Sequence, residues 1–171
     1  MSNYKLPALP KGNWETIKPP KGKGGGNFGQ SGSPLEQARW APRGTLKDKI
    51  SLMFAYSIRK LIPDDCDQVF LKIDWESRPA LVAITAVPKD YDGPTDEVYK
   101  LRKVGGTKTM RRVYRQIMFS GDTNPFDLTT IKRRSTMQLH DPINFPGWII
   151  VQIPPDFKRK VEIQNVVPMA S

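Results

Sequence analysis

Hydrophobic positions along this chain follow two periods. Val69, Leu71, Ile73 and Trp75 alternate with Phe70, Lys72 and Asp74, the period of two that turns one face of a strand toward a core. Glu76-Ser77-Arg78-Pro79 reads as a turn into Ala80–Val87, a nearly continuous apolar run that suits a central strand. Pro88–Pro94 follows as a loop. Further strands are expected at Arg134–His140, Trp148–Ile153 and Val161–Val167, the last two separated by Pro154-Pro155-Asp156 and Lys158-Arg159-Lys160.

Two stretches read instead at the helical period. Leu46, Ile50, Met53, Phe54, Ile58 and Leu61 recur at spacings of three and four. Thr45 is placed to cap the first turn, and Pro63 ends the run. In residues 107–119, Lys108, Arg111, Arg112 and Arg115 share one side of a helix, and Met110, Val113, Tyr114, Ile117 and Met118 share the other. Read as a strand, the same segment mixes Arg111, Val113, Arg115 and Ile117 on one face. The expectation is therefore a short basic amphipathic helix.

Strands before and after helices, without regular alternation, point to an α+β fold. The expected architecture is a single compact domain at 45–171, mainly antiparallel sheet with about two helices packed on it. Residues 1–44 precede it as a disordered basic arm. They hold eight of the thirteen Gly and six of the sixteen Pro, too little apolar surface to offset about 1–2 kcal/mol of backbone entropy per ordered residue. Trp14, Phe28 and Trp40 punctuate the arm, as anchors on a partner, as interfacial residues on a membrane, or as side chains packed on the protein's own surface.

Charge divides the chain further. The net of +10 is spread unevenly. Residues 1–44 carry seven basic and two acidic side chains, residues 45–99 seven and ten, residues 100–134 ten and two, and residues 135–171 three and three. An excess of this size attracts polyanions and says nothing about fold. The candidate anion-, membrane- or nucleic-acid-binding residues are the arm cations Lys5, Lys11, Lys18, Lys21 and Lys23, the face Lys108, Arg111, Arg112 and Arg115, and the trio Lys132, Arg133 and Arg134. Basic groups at an anionic membrane contribute about 1 kcal/mol each, and nucleic-acid phosphates attract them with a comparable, salt-dependent strength.

Catalysis is not expected. The single histidine, His140, has no nucleophile motif to serve, no Cys/His spacing suits zinc, and no cofactor is implied. Pro19-Pro20-Lys21-Gly22-Lys23-Gly24 lacks the Gly-Lys-Ser/Thr ending of a phosphate loop. The acidic run Pro63-Asp64-Asp65-Cys66-Asp67 lacks the glycine and distal glutamate of a calcium loop and reads as a solvated turn. Cys66 is the only cysteine, which excludes an intrachain disulfide and suits a reducing compartment. No window approaches the roughly 20 apolar residues of a membrane span, and no signal peptide is expected.

A Lys/Gly/Pro-rich N-terminal arm, a small α+β body with a basic surface, and the absence of catalytic motifs together resemble the matrix proteins of rhabdoviruses, the short plant-infecting type above all. The resemblance implies a structural protein that bridges a ribonucleoprotein to the inner face of an anionic membrane and self-associates during virion assembly. It places the chain in the virion and host cytoplasm, with viral nucleocapsid or RNA phosphates and a peripheral membrane surface as partners. The family's PPxY and P-T/S-A-P signatures are absent. The alternative is a small viral coat or RNA-packaging protein.

Overall fold

A computed structural model describes residues 6–9, 11–18, 37–44, 48–55, 62–63, 65–109, 111, 113–131, 133–138 and 147–161. Ten strands build two antiparallel five-stranded sheets that face each other. In sheet I, β4 (Gln68–Asp74) pairs with β5 (Leu81–Ala86), and β5 pairs with β10 (Ile149–Gln152). The other edge of β4 is shared by two short strands. β6 (Val98–Lys100) takes Gln68–Phe70, and β1 (Trp14–Thr16) takes Lys72–Asp74. Sheet II runs in the order β7 (Arg102–Gly105), β8 (Val113–Ser120), β3 (Lys49–Ala55), β2 (Gln37–Arg43) and β9 (Ser135–Gln138).

The expected α+β class is therefore overturned. Among the described residues the only helical elements are two single 3-10 turns, Gly121–Thr123 and Leu128–Thr130. Neither expected helix forms: Lys49–Ala55 and Val113–Ser120 are strands. Lys49–Ala55 is a strand whose Ile50, Leu52 and Phe54 enter the core while Ser51 and Met53 are buried on its opposite side. Lys49 and Ser51 alternate with Ile50 and Leu52, but the alternation lapses at Met53-Phe54, and the same apolar residues also fit the helical spacing. Thr45, Ile58 and Leu61, which carried the helix ends, lie outside the described residues.

β8 fails the amphipathic test for the same reason. It is buried along nearly its whole length, so no polar face remains to reveal an alternation. The segment expected as an arm also contributes structure: β1 lies at the edge of sheet I and β2 between β3 and β9. Gly/Pro content concealed β2, where Ala38 and Trp40 point inward between outward Arg39 and Arg43. Pro42 is accommodated because β9 pairs only with Gln37–Trp40, so a missing N–H costs no ladder bond on that side. The expected strands near 69–75, 80–87, 134–140 and 148–153 correspond to β4, β5, β9 and β10. Val161–Val167 lies, but for Val161, outside the described residues.

The inner faces interlock around Trp40, which is fully buried. Its indole stacks on Phe119 at 6.0 Å and meets Phe126 and Phe157 edge-on at 5.5 and 5.6 Å. Its Nε1 donates to the Gln152 carbonyl of sheet I at 3.0 Å, satisfying the ring's only polar atom as burial requires. The outer face of sheet I is sealed by the chain's own first residues. Leu6 and Leu9 pack on Ala83, Trp148 and Ile150, and Trp148 Nε1 donates to the Pro7 carbonyl at 3.0 Å. Gly147, at φ +83°, passes so close that an added Cβ would lie 2.9 Å from Pro7.

Candidate polyanion-docking face

Charge follows the sheets. The five strands of sheet II contain Arg39, Arg43, Lys49, Arg102, Lys103 and Arg115 and no Asp or Glu. The strands of sheet I carry Lys72 and Lys100 against Glu15 and Asp74, which cancel.

Register places the cations of sheet II. Ala38, Trp40, Leu52, Phe54, Ile117 and Phe119 face the core, so the alternate residues face outward. Arg39 and Arg43 share that outward side of β2 with Ala41 between them. Lys49 stands directly opposite Arg43, and Arg102 opposite Gln116. The middle of this face is closed: Met53 and Gln116 are fully buried. The half-buried Arg43, Lys49 and Arg102 form its rim, and the exposed Arg133 and Arg134 adjoin it in the turn before β9.

Three of these guanidiniums feel one another. Burial lowers the Arg39 pKa from its usual value, and Arg134 lowers it further, with Tyr114 acting in the opposite direction. Arg43 is lowered first by burial, then by Arg134 and Arg39, while its Nε donates to Ser51 Oγ at 3.2 Å. Like charges gathered in a partly desolvated place raise the local potential and favour an incoming anion.

The residues singled out from sequence are distributed differently from expectation. Lys108 and Arg111 are exposed, in the β7–β8 connection and just before β8. Arg115, expected on their face, is 1% exposed and points into the sandwich. Its Nη2 donates to the Pro63 carbonyl at 3.0 Å and its Nη1 to the Cys66 carbonyl. The helical face 108–115 therefore does not exist, because a strand sends Arg115 to the side of Ile117 and Phe119. Lys11 is exposed, and Lys18 approaches Asp96 at 3.8 Å. Lys5, Lys21, Lys23, Arg112 and Lys132 lie outside the described residues, as do Phe28 and His140. Trp40 is a core residue, and Trp14 is half-buried against the outer face of sheet I.

Arg39, Arg43, Lys49 and Arg102 were missed. The signal was present in Ala38-Arg39-Trp40-Ala41-Pro42-Arg43, whose arginines share a strand face across Trp40, but it was read as part of the arm. In the acidic loops, Asp65 and Lys89 form an ion pair, which holds the Asp65 carboxyl below its ordinary range through the lysine's hydrogen bond. Among the described residues no group of three His, Cys, Asp or Glu is placed to hold a metal ion, and no helix is long and apolar enough to cross a membrane. Compared with protein families, curated proteins and solved structures, the chain matches none.

Proposed function

We propose that this chain is a non-catalytic structural protein of the matrix type, which docks the phosphates of a nucleocapsid on the outer rim of sheet II. The observation that carries this reading is the segregation of charge: sheet II has no acidic residue in any strand, and the half-buried Arg43 on its outer side lies near the buried Arg39 and the exposed Arg134, which precedes β9. The rhabdovirus matrix resemblance adds a second contact, between the arm lysines and an anionic membrane, and self-association in the virion and at the cytoplasmic membrane face. The acidic loops around Asp65, Asp67, Asp90 and Asp92, which are exposed, offer a complementary surface for a neighbouring copy.

The coat or RNA-packaging reading is favoured by one observation. Among the described residues the only exposed large apolar side chain is Val161, so the described part of the basic rim presents lipid with no hydrophobic anchor.

Gel shifts with single-stranded RNA and flotation with anionic vesicles, each over a salt series, test both. About five rim cations on RNA phosphates give a slope of log K against log salt near −3.5, from about −0.7 per phosphate. Flotation together with RNA binding supports the matrix reading. RNA binding without flotation supports the packaging reading. A flat salt dependence with both probes removes the docking rim itself.

A further inference from the structure

The sandwich has a second cationic place, of a different character. Where the edge strands β9 and β10 approach, a cavity of about 740 Å³ opens between the sheets, within the range that holds a small organic ligand. Its walls are mostly flat and stiff, formed by Trp75, Pro79, Pro154, Pro155 and Phe157, with the flexible Met137 beside them. Its charged lining consists of Arg78, Lys158 and Arg159, with no carboxylate. Trp75 is half-buried, and its ring is held edge-on against the core residue Phe126 at 5.6 Å and 72°, so its position is fixed while part of it stays in solvent.

The cations are also held in place. Arg78 Nη1 donates to the Trp75 carbonyl at 2.9 Å, which keeps the guanidinium over the turn. Arg159 Nη2 meets Glu15 at 2.9 Å. Lys158 is exposed at the mouth. On the other side of Trp75 and Arg159 lies a separate cavity of about 630 Å³, whose lining includes Asn124 and Lys160 and also the carboxylates Glu15 and Asp122. Asn124 is 5% exposed, and its Nδ2 donor has no hydrogen-bond partner, a state that is costly unless a ligand or water relieves it.

The geometry points to a slot for one nucleotide of a single-stranded nucleic acid, its base between Trp75 and the proline-lined wall and its phosphate on Lys158 and Arg78. An apolar site ringed by cations selects an amphipathic anion, and stiff planar walls suit an aromatic ring better than an acyl chain. Stacking on aromatic side chains beside a basic groove is how single strands are held without sequence preference. Continuity with the docking rim supports the assignment. Arg134 immediately precedes β9, and Met137 of β9 lines the slot; three residues of strand span about 10 Å. One strand can thus lie on the arginines and turn its next base inward. The inference rests on the phosphate-docking reading for its biological sense, but the slot is measurable without it.

The test uses the full chain with 5′-AMP and 5′-UMP, followed by equilibrium dialysis and tryptophan fluorescence, with ribose 5-phosphate as the baseless control and a lysophosphatidic acid as the lipid control. Both nucleotides are expected to bind at least tenfold more tightly than ribose 5-phosphate. Trp75→Leu is expected to weaken them by roughly 5- to 100-fold, the worth of one base–aromatic stack. Because Trp75 touches the core, Lys158→Glu provides a second variant at an exposed position, with an expected loss of threefold or more and unchanged urea stability. Nucleotides binding no better than ribose 5-phosphate, or insensitive to both variants, overturn the slot, as does tighter binding of the lipid. Arg43→Ala/Arg134→Ala separates the two readings. It should flatten the RNA salt slope and leave AMP binding intact, so either site can fail alone.

Discussion

Replacing Arg115 with Met distinguishes a strand at 113–120 from the basic helix that residue spacing suggests. On a helix, Arg115 would stand in solvent beside Lys108 and Arg111, and its loss would change stability by less than about 0.5 kcal/mol. In the sandwich its guanidinium is 1% exposed and donates to the Pro63 and Cys66 carbonyls, tying the loop before β4 to β8. Hydrogen bonds to a charged group contribute about 1.5–3 kcal/mol each, and a buried acceptor left bare costs about 1–3. Cys66 is buried, so its carbonyl loses its partner, whereas Pro63 is exposed and can recruit water. Relief from holding a buried charge offsets part of this. The net destabilisation comes to about 2–4 kcal/mol. With a urea slope of about 2 kcal/mol per molar, the midpoint falls by roughly 1–2 M, and Tm falls by roughly 5–15 °C. Urea titration followed by tryptophan fluorescence reads the first value. The RNA salt slope should not move, whereas an outward Arg115 would take about 0.7 from it. A midpoint within 0.25 M of the parent, with a reduced salt slope, would refute the burial of Arg115 and the strand with it. Arg111→Ala, at an exposed position away from the rim, should leave the urea midpoint unchanged.

Gln116 is fully buried, and neither its Oε1 nor its Nε2 finds a hydrogen bond. Gln116→Met should therefore raise stability by about 1 kcal/mol or more, seen as a higher urea midpoint. Burial holds the Tyr99 phenol well above its ordinary pKa, while its hydroxyl donates to the Lys18 carbonyl at 2.6 Å. A group raised in the folded state contributes stability that is intact below the unfolded pKa, about 10, and declines above it. Base unfolding should thus begin near pH 10, and Tyr99→Phe should flatten that limb while costing about 1 kcal/mol at neutral pH; circular dichroism across pH 8–12 measures both. Gly147→Ala, at φ +83° and against Pro7, should lift the Leu6–Leu9 segment from sheet I. Binding of a hydrophobic dye should then rise, since Trp148 and Ile150 lose their cover.

Legibility in the sequence depended on whether a strand has a wet side. β4 was readable because Lys72 and Asp74 interrupt its outer face, and β5 because the turn at Glu76–Pro79 delimits a short apolar run. β3 and β8 have buried residues on both sides, so the alternation that identifies a strand lapses at Met53-Phe54 and at Ile117-Met118-Phe119, and a chance helical spacing takes its place. β2 was lost to composition: its two arginines, and Pro42, made a central strand look like linker. The same error hid half of the candidate site. Arg39 and Arg43 become neighbours of Arg134 only through pairing across some ninety residues, which no local pattern records. Arg115 erred in the opposite direction, a cation whose charge suggested surface and whose partners are two carbonyls.

The contact between Pro7 and Trp148 spans 141 positions of the chain. A ribosome emits the N-terminus first, yet nothing it can rest on exists until Trp148 has emerged, because the apolar surface under Leu6 and Leu9 is built partly from β10. Pairings of such long range are slow to form, and the exposed face of sheet I is vulnerable to aggregation meanwhile. Until Leu6 and Leu9 settle on Trp148 and Ile150 that face stays in water, so the order of synthesis gives the earliest described residues the latest contact to close.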